Sequence, residues 1–362
     1  MHHLSLPRRD FLRRTAAAGV ATWLVPRAAR AAKPANEKIK VGQIGTGHSH
    51  ATKLEVYRES PDYEVVGIVE PDPALRAAAE RQAAYRDLPW LSEEQLLNTP
   101  GPQAVLVETR VRDLLDTAER VVAAGKHVHL DKPAGSSLRQ YRRLLDVAAR
   151  QNLLVQMGYM YRYNPGFLLL RRFLNEGWLG EVYEVHGTMS KVLPPDDRLR
   201  VAEYSGGIMF ELGCHIIDQL VSTLGKPQRV ESIARHSAPS DDTLADNVLA
   251  VCEYPKAIAT IKASAQEVDG GGRRHFVVCG TLGTVQVLRL DGPSVRYTLD
   301  RDRGEFKKGT HDVSFEPYRR YVGDAADMAR VIRGEKSSDY SYAHDFDMQE
   351  TVLRAAGMSL DA

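Results

Sequence analysis

A chain of 362 residues is long enough for two domains, and its 43% hydrophobic and 26% charged residues are typical of a globular protein. The formal net charge is +1. Once the first 32 residues are set aside, 42 basic and 46 acidic residues remain, which disfavours a nucleic acid or an anionic membrane as a partner. Three cysteines without C-x-x-C spacing indicate neither a structural zinc site nor a disulfide framework.

The chain opens with features of an export signal in residues 1–32. Arg8 and Arg9 precede a short apolar run over residues 16–25, and an A-x-A cleavage site ends at Ala31. This pattern resembles a twin-arginine signal, which predicts export of the folded protein to the periplasm with its cofactor bound; a basic start without an export role is the alternative. No segment approaches ~20 apolar residues, so no stable membrane insertion is expected.

The first predicted strand, residues 38–44, leads into a glycine turn and then a helical pattern. Strand, glycine turn and helix form the context that a dinucleotide-binding fingerprint requires. Gly45 permits the tight turn and Gly47 lets backbone N–H groups approach a pyrophosphate, while His50 stands where the fingerprint has its third glycine. His48 and His50 have no carboxylate or third ligand at a sensible spacing, so no metal site is predicted here.

The second predicted strand, residues 63–69, ends at Glu70. This acid lies 23 residues after Gly47, close to the spacing of the carboxylate that binds an adenosine ribose. An acid at this position repels a 2′-phosphate, so NAD is expected in preference to NADP. A solvated acid at the end of a strand is the alternative.

Strands and helices then alternate up to residue 157. Strands are predicted over residues 104–108, 128–130 and 153–156, and helices from residue 74 and over residues 113–124 and 138–150. This alternation predicts a doubly wound parallel sheet, which forms a dinucleotide-binding Rossmann domain over residues 38–157.

The strand over residues 128–130 ends at Asp131, Lys132 and Pro133, because proline cannot donate to a sheet ladder. Lys132 is therefore placed at the carboxyl edge of the parallel sheet, where ligands bind. That position suits a lysine that takes part in chemistry. A surface lysine beside an acid is the alternative.

Residues 158–362 are predicted to form a second, α+β domain with a largely antiparallel open sheet. A helix is expected over residues 164–175, and loops over residues 193–204 and 270–274. Strand-like runs cover residues 181–191, 230–235, 248–254, 257–264, 276–279, 284–289 and 294–299, and closing helices cover residues 318–333 and 347–357.

Between these strands, Glu211, His215 and Asp218 are spaced to share one face of a helix. An imidazole flanked by acids is a tunable acid or base near neutral pH. The spacing therefore predicts a functional His215. A histidine paired with a glutamate on a surface helix is the alternative.

Taken together, these stretches resemble the Gfo/Idh/MocA oxidoreductases, a family that includes glucose-fructose oxidoreductase and inositol dehydrogenase. The resemblance covers nearly all of the chain after residue 32. It rests on the glycine turn at 45–47, A-G-K-H-V-H-L-D-K-P at 124–133, M-G-Y-M-Y-R-Y-N-P at 157–165, G-G-I-M-F-E-L-G-C-H-I-I-D at 206–218 and A-H-D at 343–345. It implies a Rossmann domain followed by an α/β domain whose open sheet makes homodimer or homotetramer contacts.

The resemblance also implies roles for individual residues. The lysine of the family's E-K-P matches Lys132, with Asp131 in place of the glutamate. The family's aspartate and histidine four residues apart match Glu211 and His215. The resulting hypothesis is an NAD(P)-dependent oxidoreductase that acts on a secondary alcohol of a sugar or polyol.

In this hypothesis His215 takes the hydroxyl proton, Lys132 stabilises the same oxygen and Glu211 orients His215. The expected cofactor contacts are Gly45, Thr46, Gly47, His48, His50, Glu70, Thr109, Asp131 and Lys132. The expected substrate contacts are Tyr161, Arg162, Asn164 and Asp218. Two alternatives stay open: an NAD-dependent glycosidase or lyase that uses transient oxidation, and a non-catalytic sugar-binding relative.

Overall fold

The computed structural model describes residues 37–360, so the predicted signal in residues 1–32 lies outside the described residues. The first of its two sheets has five parallel strands: β1 (Ile39–Ile44), β2 (Tyr63–Val69), β3 (Ala104–Val107), β4 (His127–Leu130) and β5 (Val155–Met157). Their order across the sheet is β2-β1-β3-β4-β5. Every residue of β3 and β4 is buried, as expected for central strands of a sheet that is covered on both faces.

Helices connect these strands and cover the sheet: α1 (Leu54–Glu59), α2 (Pro73–Ala79), α3 (Glu93–Asn98), α4 (Leu114–Ala123) and α5 (Leu138–Arg150). The sequence analysis did not predict α3. Its start is nevertheless encoded locally, because Ser92 and Gln95 form a reciprocal capping box at its first turn.

The second sheet has eight strands: β6 (Val182–Ser190), β7 (Arg229–Arg235), β8 (Asn247–Glu253), β9 (Ile258–Ser264), β10 (His275–Gly280), β11 (Gly283–Leu288), β12 (Ser294–Leu299) and β13 (Gly309–Ser314). Their order is β13-β12-β11-β10-β6-β9-β8-β7. Only the β6–β9 pair of this sheet is parallel. Strand β13 was not predicted. The predicted fold class, a parallel Rossmann sheet followed by a largely antiparallel one, is confirmed.

Five helices accompany the second sheet: α6 (Pro165–Asn175), α7 (Pro195–Ala202), α8 (Cys214–Leu224), α9 (Val322–Ile332) and α10 (Tyr342–Ala355). The prediction of a loop over residues 193–204 is wrong, because α7 lies inside it. Pro195 occupies the first turn of α7, where a missing N–H costs nothing.

Helix α10 fixes the segment that follows Lys132. The side chain of Gln349 donates to the carbonyl of Gly135 at 2.7 Å and accepts from the backbone N of Ala134 at 3.2 Å. The second part of the chain thus holds the end of β4 in place.

Within residues 37–360, every helix is too short or too polar to cross a membrane.

Candidate active site

A cleft opens at the carboxyl edge of the parallel sheet, where the strand order reverses between β1 and β3. In doubly wound sheets, this reversal leaves the crevice in which ligands bind. The cleft has a volume of about 280 Å³, and its lining includes Gly45, Gly47, Glu70, Asp72, Thr109 and Arg110.

The glycine turn after β1 allows a close approach of backbone to ligand. Gly45 has a φ of +91°, and a Cβ there would lie 2.5 Å from the backbone N of Thr109. A Cβ at Gly47 would lie 3.1 Å from Leu75 Cδ1 and 3.3 Å from Arg110 Cγ. The Oγ1 atom of Thr109 is buried without a hydrogen-bond partner in the described part of the chain. Tight glycines beside an unpartnered hydroxyl fit a bound pyrophosphate.

Glu70 lies at the predicted position in this cleft and also braces the glycine turn. Its Oε2 accepts hydrogen bonds from the backbone N of Thr46 at 2.7 Å and from Thr46 Oγ1 at 2.8 Å. Its Oε1 accepts from the backbone N of Asp72 at 3.0 Å. A basic side chain also lines the cleft: Arg110, whose Nη2 lies 3.5 Å from Asp72 Oδ2.

Five polar side chains lie together beside the glycine turn and form what we call the buried charged cluster: His48, His50, Lys53, Glu108 and Asp131. Asp131 Oδ2 accepts from Lys53 Nζ at 2.7 Å and lies 2.9 Å from His48 Nδ1. Asp131 Oδ1 lies 3.3 Å from His50 Nδ1, and Lys53 Nζ lies 3.0 Å from Glu108 Oε1. The expectation that the two histidines have no carboxylate nearby is therefore wrong.

The two acids of this cluster, Glu108 and Asp131, have pKa values that are shifted in opposite directions. Burial raises the pKa of Glu108 well above its usual value, and the charge of Asp131 adds to the effect while Lys53 opposes it. Burial also disfavours ionisation of Asp131, but the charges of His48 and Lys53 outweigh it and hold the pKa of that carboxyl well below its usual value. Asp131 is thus the ionised acid, and Lys53 supplies its counter-charge.

Lys132 follows this cluster and joins the two halves of the chain. Its backbone N donates to Asp131 Oδ1 at 2.6 Å. Its Nζ donates to the backbone carbonyl of Glu211 at 2.8 Å and to Glu211 Oε1 at 3.2 Å. Burial favours a neutral amine, but Glu211 outweighs burial and raises the pKa of Lys132 above its usual value. The lysine therefore stays charged although its side chain is only 2% exposed.

His215 lies near this lysine in a pocket of rings. Its ring centroid is 5.6 Å from that of His50, 6.0 Å from Tyr159 and 5.8 Å from Tyr161. Its Nδ1 is buried and finds no hydrogen-bond partner within residues 37–360. Burial, followed by the charge of Lys132, lowers the pKa of His215 well below its usual value, so the imidazole is neutral near pH 7.

The predicted contact between Glu211 and His215 is not present. Glu211 lies in a π-helical turn, Met209–Gly213, which precedes α8. A π turn is wider than an α turn, so the i, i+4 neighbours of a regular helix no longer meet. The carboxylate of Glu211 bonds Lys132, and that of Asp218 bonds Arg162.

Three of the predicted substrate residues are bonded inside the protein. Arg162 Nη2 donates to Asp218 Oδ1 at 2.6 Å and to Asp345 Oδ1 at 2.5 Å. Asn164 caps the first turn of α6 and donates to the carbonyl of Leu290 at 2.8 Å. All of these side chains are buried, and their polar groups are held by hydrogen bonds within the protein.

Tyr161, the fourth predicted substrate residue, lies next to His215. Its hydroxyl donates to Asp291 Oδ1 at 3.1 Å, and Asp291 Oδ2 in turn accepts from Arg274 Nη1 at 2.6 Å. Its side chain is also buried and hydrogen-bonded, but its ring lies 5.8 Å from that of His215, so Tyr161 stays a candidate for substrate contact.

Sequence reasoning missed Lys53 and Glu108, although both are fully buried beside predicted site residues. The available signal was Lys53, a lysine on the buried face of the first helical segment.

Comparison with known proteins adds to this geometry. A family model described as an oxidoreductase family with an NAD-binding Rossmann fold, Gfo/Idh/MocA, matches residues 39–159. A second model, the Gfo/Idh/MocA C-terminal domain, matches residues 167–286. The two models together cover both sheets except the last strands.

Individual proteins are similar over most of their length. An NAD+-dependent scyllo-inositol 2-dehydrogenase of Bacillus subtilis is 24% identical over 301 residues, which are 80% of this chain and 84% of that protein. An NADP+-dependent scyllo-inositol 2-dehydrogenase of the same species is 24% identical over 281 residues, 75% of this chain and 73% of that one. A structure of levoglucosan dehydrogenase with NADH and levoglucosan covers 89% of this chain and 97% of its own, with a TM-score of 0.76 and 18% identity.

Proposed function

Because the chain belongs to the Gfo/Idh/MocA family of NAD-binding oxidoreductases, we propose that it oxidises a secondary alcohol of a sugar or polyol by hydride transfer. The family inferred from the sequence motifs is confirmed, and so is a nicotinamide dinucleotide as cofactor. The two inositol dehydrogenases and the levoglucosan dehydrogenase support a sugar or polyol as the substrate class.

The observation that carries the proposal is the series of contacts that links Lys132 to His215. Lys132 ends a strand of the parallel sheet and bonds Glu211, which is four residues before His215. The ring of His215 lies against His50, which contacts the aspartate beside Lys132. A charged amine and a neutral imidazole from two parts of the chain are thus linked through Glu211 and His50, and the charge of Lys132 acts on the pKa of His215.

The residues of the cleft fit the cofactor. Gly45 and Gly47 leave room for a pyrophosphate, the free Oγ1 of Thr109 offers a hydrogen bond, and Glu70 lies where a ribose hydroxyl can bind. When bound, the nicotinamide dinucleotide supplies the hydride acceptor for the oxidation.

The neutral imidazole of His215 can accept the hydroxyl proton, since burial keeps it unprotonated near pH 7. Lys132 cannot accept a proton while it is charged, so its role is to donate a hydrogen bond to the same oxygen and stabilise the developing charge. Glu211 holds Lys132 in place, which makes it a positioning residue for the lysine.

Three finer proposals accompany this function. The first is a preference for NAD over NADP, supported by the position of Glu70 in the cleft. The second is a homodimer or homotetramer through the second sheet. It is supported by Ile233 and Ile258, which are 49% and 60% exposed on the face opposite to the buried residues of β8. The third is export to the periplasm, supported by Arg8 and Arg9 in the sequence.

The test combines nucleotide analysis with a substrate panel. Mass spectrometry identifies the nucleotide that co-purifies with the protein, and NADH formation at 340 nm is followed with inositols, aldoses and anhydrosugars. His215→Ala and Lys132→Met should each lower kcat by about 10²–10⁴ with nucleotide retained. His311→Ala and Lys256→Met, which alter exposed side chains, serve as matched controls.

Two outcomes would contradict the proposal. Glycoside cleavage without net NADH formation would assign the same residues to a transient oxidation. In the second outcome, the parent protein shows no turnover, and the His215→Ala and Lys132→Met variants bind sugar with normal affinity. The protein would then be a sugar-binding protein and not an enzyme.

A further inference from the structure

We propose that His48, His50 and Asp131 form a binding site for one divalent transition-metal ion beside the cofactor cleft. Two imidazoles and one carboxylate are a ligand set that suits zinc and its first-row neighbours. Neither the sequence motifs nor the family comparisons assign a metal to these residues. The ligands differ from His215 and Lys132, although Asp131 and His48 bond the backbone of Lys132 and the ring of His50 lies against that of His215.

The distances suit a single ion. Metal–nitrogen bonds of about 2.0–2.1 Å in a tetrahedral site place the ligand atoms about 3.4 Å apart. Asp131 Oδ2 lies 2.9 Å from His48 Nδ1, and Asp131 Oδ1 lies 3.3 Å from His50 Nδ1. The three ligand atoms all lie within 4.8 Å of one another.

The hydrogen bonds of His48 suit a metal ligand. Its Nε2 lies 3.0 Å from the backbone carbonyl oxygen of Lys132, which can only accept, so Nε2 carries the hydrogen. Its Nδ1 lies 2.9 Å from Asp131 Oδ2 and accepts a hydrogen bond from the backbone N of His50 at 3.2 Å. A hydrogen bond from the outer nitrogen to a carbonyl is also how metal-binding histidines are held.

The surroundings supply the remaining features of a metal site. Lys53 donates to Asp131 Oδ2, which fixes the ligating carboxylate from outside. Glu108 Oε1 lies 3.0 Å from Lys53 Nζ, and its Oε2 lies 3.9 Å from His48 Nδ1. Glu108 is thus within reach as a fourth ligand.

His50 gives the ion a route to solvent, because its side chain is 15% exposed while the others are closed off. An ion held here ties the loop after β1 to the end of β4. It would therefore stabilise the two segments that flank the cofactor and Lys132.

The experiment uses the protein without the predicted signal in residues 1–32, first as purified and then after dialysis against a chelator. Metal content is measured by mass spectrometry. Co²⁺ is then titrated into the stripped protein, where a tetrahedral site gives visible absorption bands at one equivalent. Zn²⁺ should displace Co²⁺ and raise the melting temperature, whereas Mg²⁺ should do neither, because it prefers oxygen ligands.

His50→Ala and Asp131→Asn should each weaken Co²⁺ binding by at least about 100-fold, and His311→Ala should leave it unchanged. His48→Gln tests the site again if one of these variants fails to fold. A parent protein that binds no Co²⁺ would overturn the proposal. Equal Co²⁺ binding by parent and variants would also overturn it. Nucleotide retention is measured separately, so failure of this site is distinguishable from failure of the proposed oxidation.

Discussion

Replacing Arg162 by methionine should destabilise the fold and should not act through substrate binding. The guanidinium is 2% exposed, donates to Asp218 and Asp345, and stacks 3.8 Å from the ring centroid of Tyr340. Methionine fills similar space but carries no charge. The change therefore leaves two buried carboxylates without their cation.

The magnitude follows from that loss. Removing one partner of a buried ion pair costs about 3–5 kcal/mol in the free energy of unfolding, because the remaining charge is uncompensated. Protonation of Asp345 can remove part of this cost, since burial already raises the pKa of that carboxyl. For a chain of this size, about 2 °C per kcal/mol gives a melting temperature roughly 6–10 °C lower.

Thermal and urea unfolding measure the effect. Arg172→Met is the control, because Arg172 is exposed and pairs with an exposed glutamate. Adding Asp218→Asn and Asp345→Asn to Arg162→Met should restore most of the lost stability, because no charge is then left uncompensated. An Arg162→Met variant that unfolds like the parent but shows a raised KM would refute the reasoning and restore the substrate role.

Three further changes test other parts of the site. Gly47→Val should sharply reduce nucleotide retention, measured by mass spectrometry, because a branched side chain enters the cleft where the pyrophosphate approaches; retention equal to the parent would place the cofactor elsewhere. Glu70→Ser should bring the kcat/KM values for NAD and NADP closer together, because it removes a charge that repels the 2′-phosphate. A parent protein that already prefers NADP would contradict this. Asp324→Asn should raise the melting temperature at pH 8 but hardly at pH 4, because burial raises the pKa of this carboxyl to about 7. The neutral acid favours the folded state, so stability falls by roughly 3–5 kcal/mol as pH rises from about 4 to above 7, and an equal gain at both pH values would exclude this origin.

Local signals predicted much of the first sheet and the position of Lys132. The bounds of β2 and α5 agree with prediction, because apolar runs and helical periodicity decide them within a few residues. The turn at Gly45 was recognisable because only glycine tolerates its backbone conformation and the nearby backbone of Thr109.

The contacts that define the site depend on distant parts of the chain. Asp131 meets His50 across 81 residues, and Arg162 meets Asp345 across 183, distances in sequence that no local pattern encodes. The π-helical turn at Glu211 is a second reason, because the i, i+4 rule assumes a regular helix. The sequence motifs alone therefore do not tell which of their polar residues belong to the site and which stabilise the fold.

The pairing of Glu211 with Lys132 gives the site a division of roles that the predicted pairing with His215 would not. A carboxylate bonded to the imidazole would raise the pKa of His215 and leave the lysine buried without a partner, which would favour a neutral amine. In the structure, Glu211 instead keeps Lys132 charged, and burial together with that charge keeps His215 neutral. The environments thus push the two pKa values apart, which is how a general base and an electrostatic stabiliser coexist beside one oxygen. We therefore expect Glu211→Gln to lower the pKa of Lys132 more than it changes the pKa of His215.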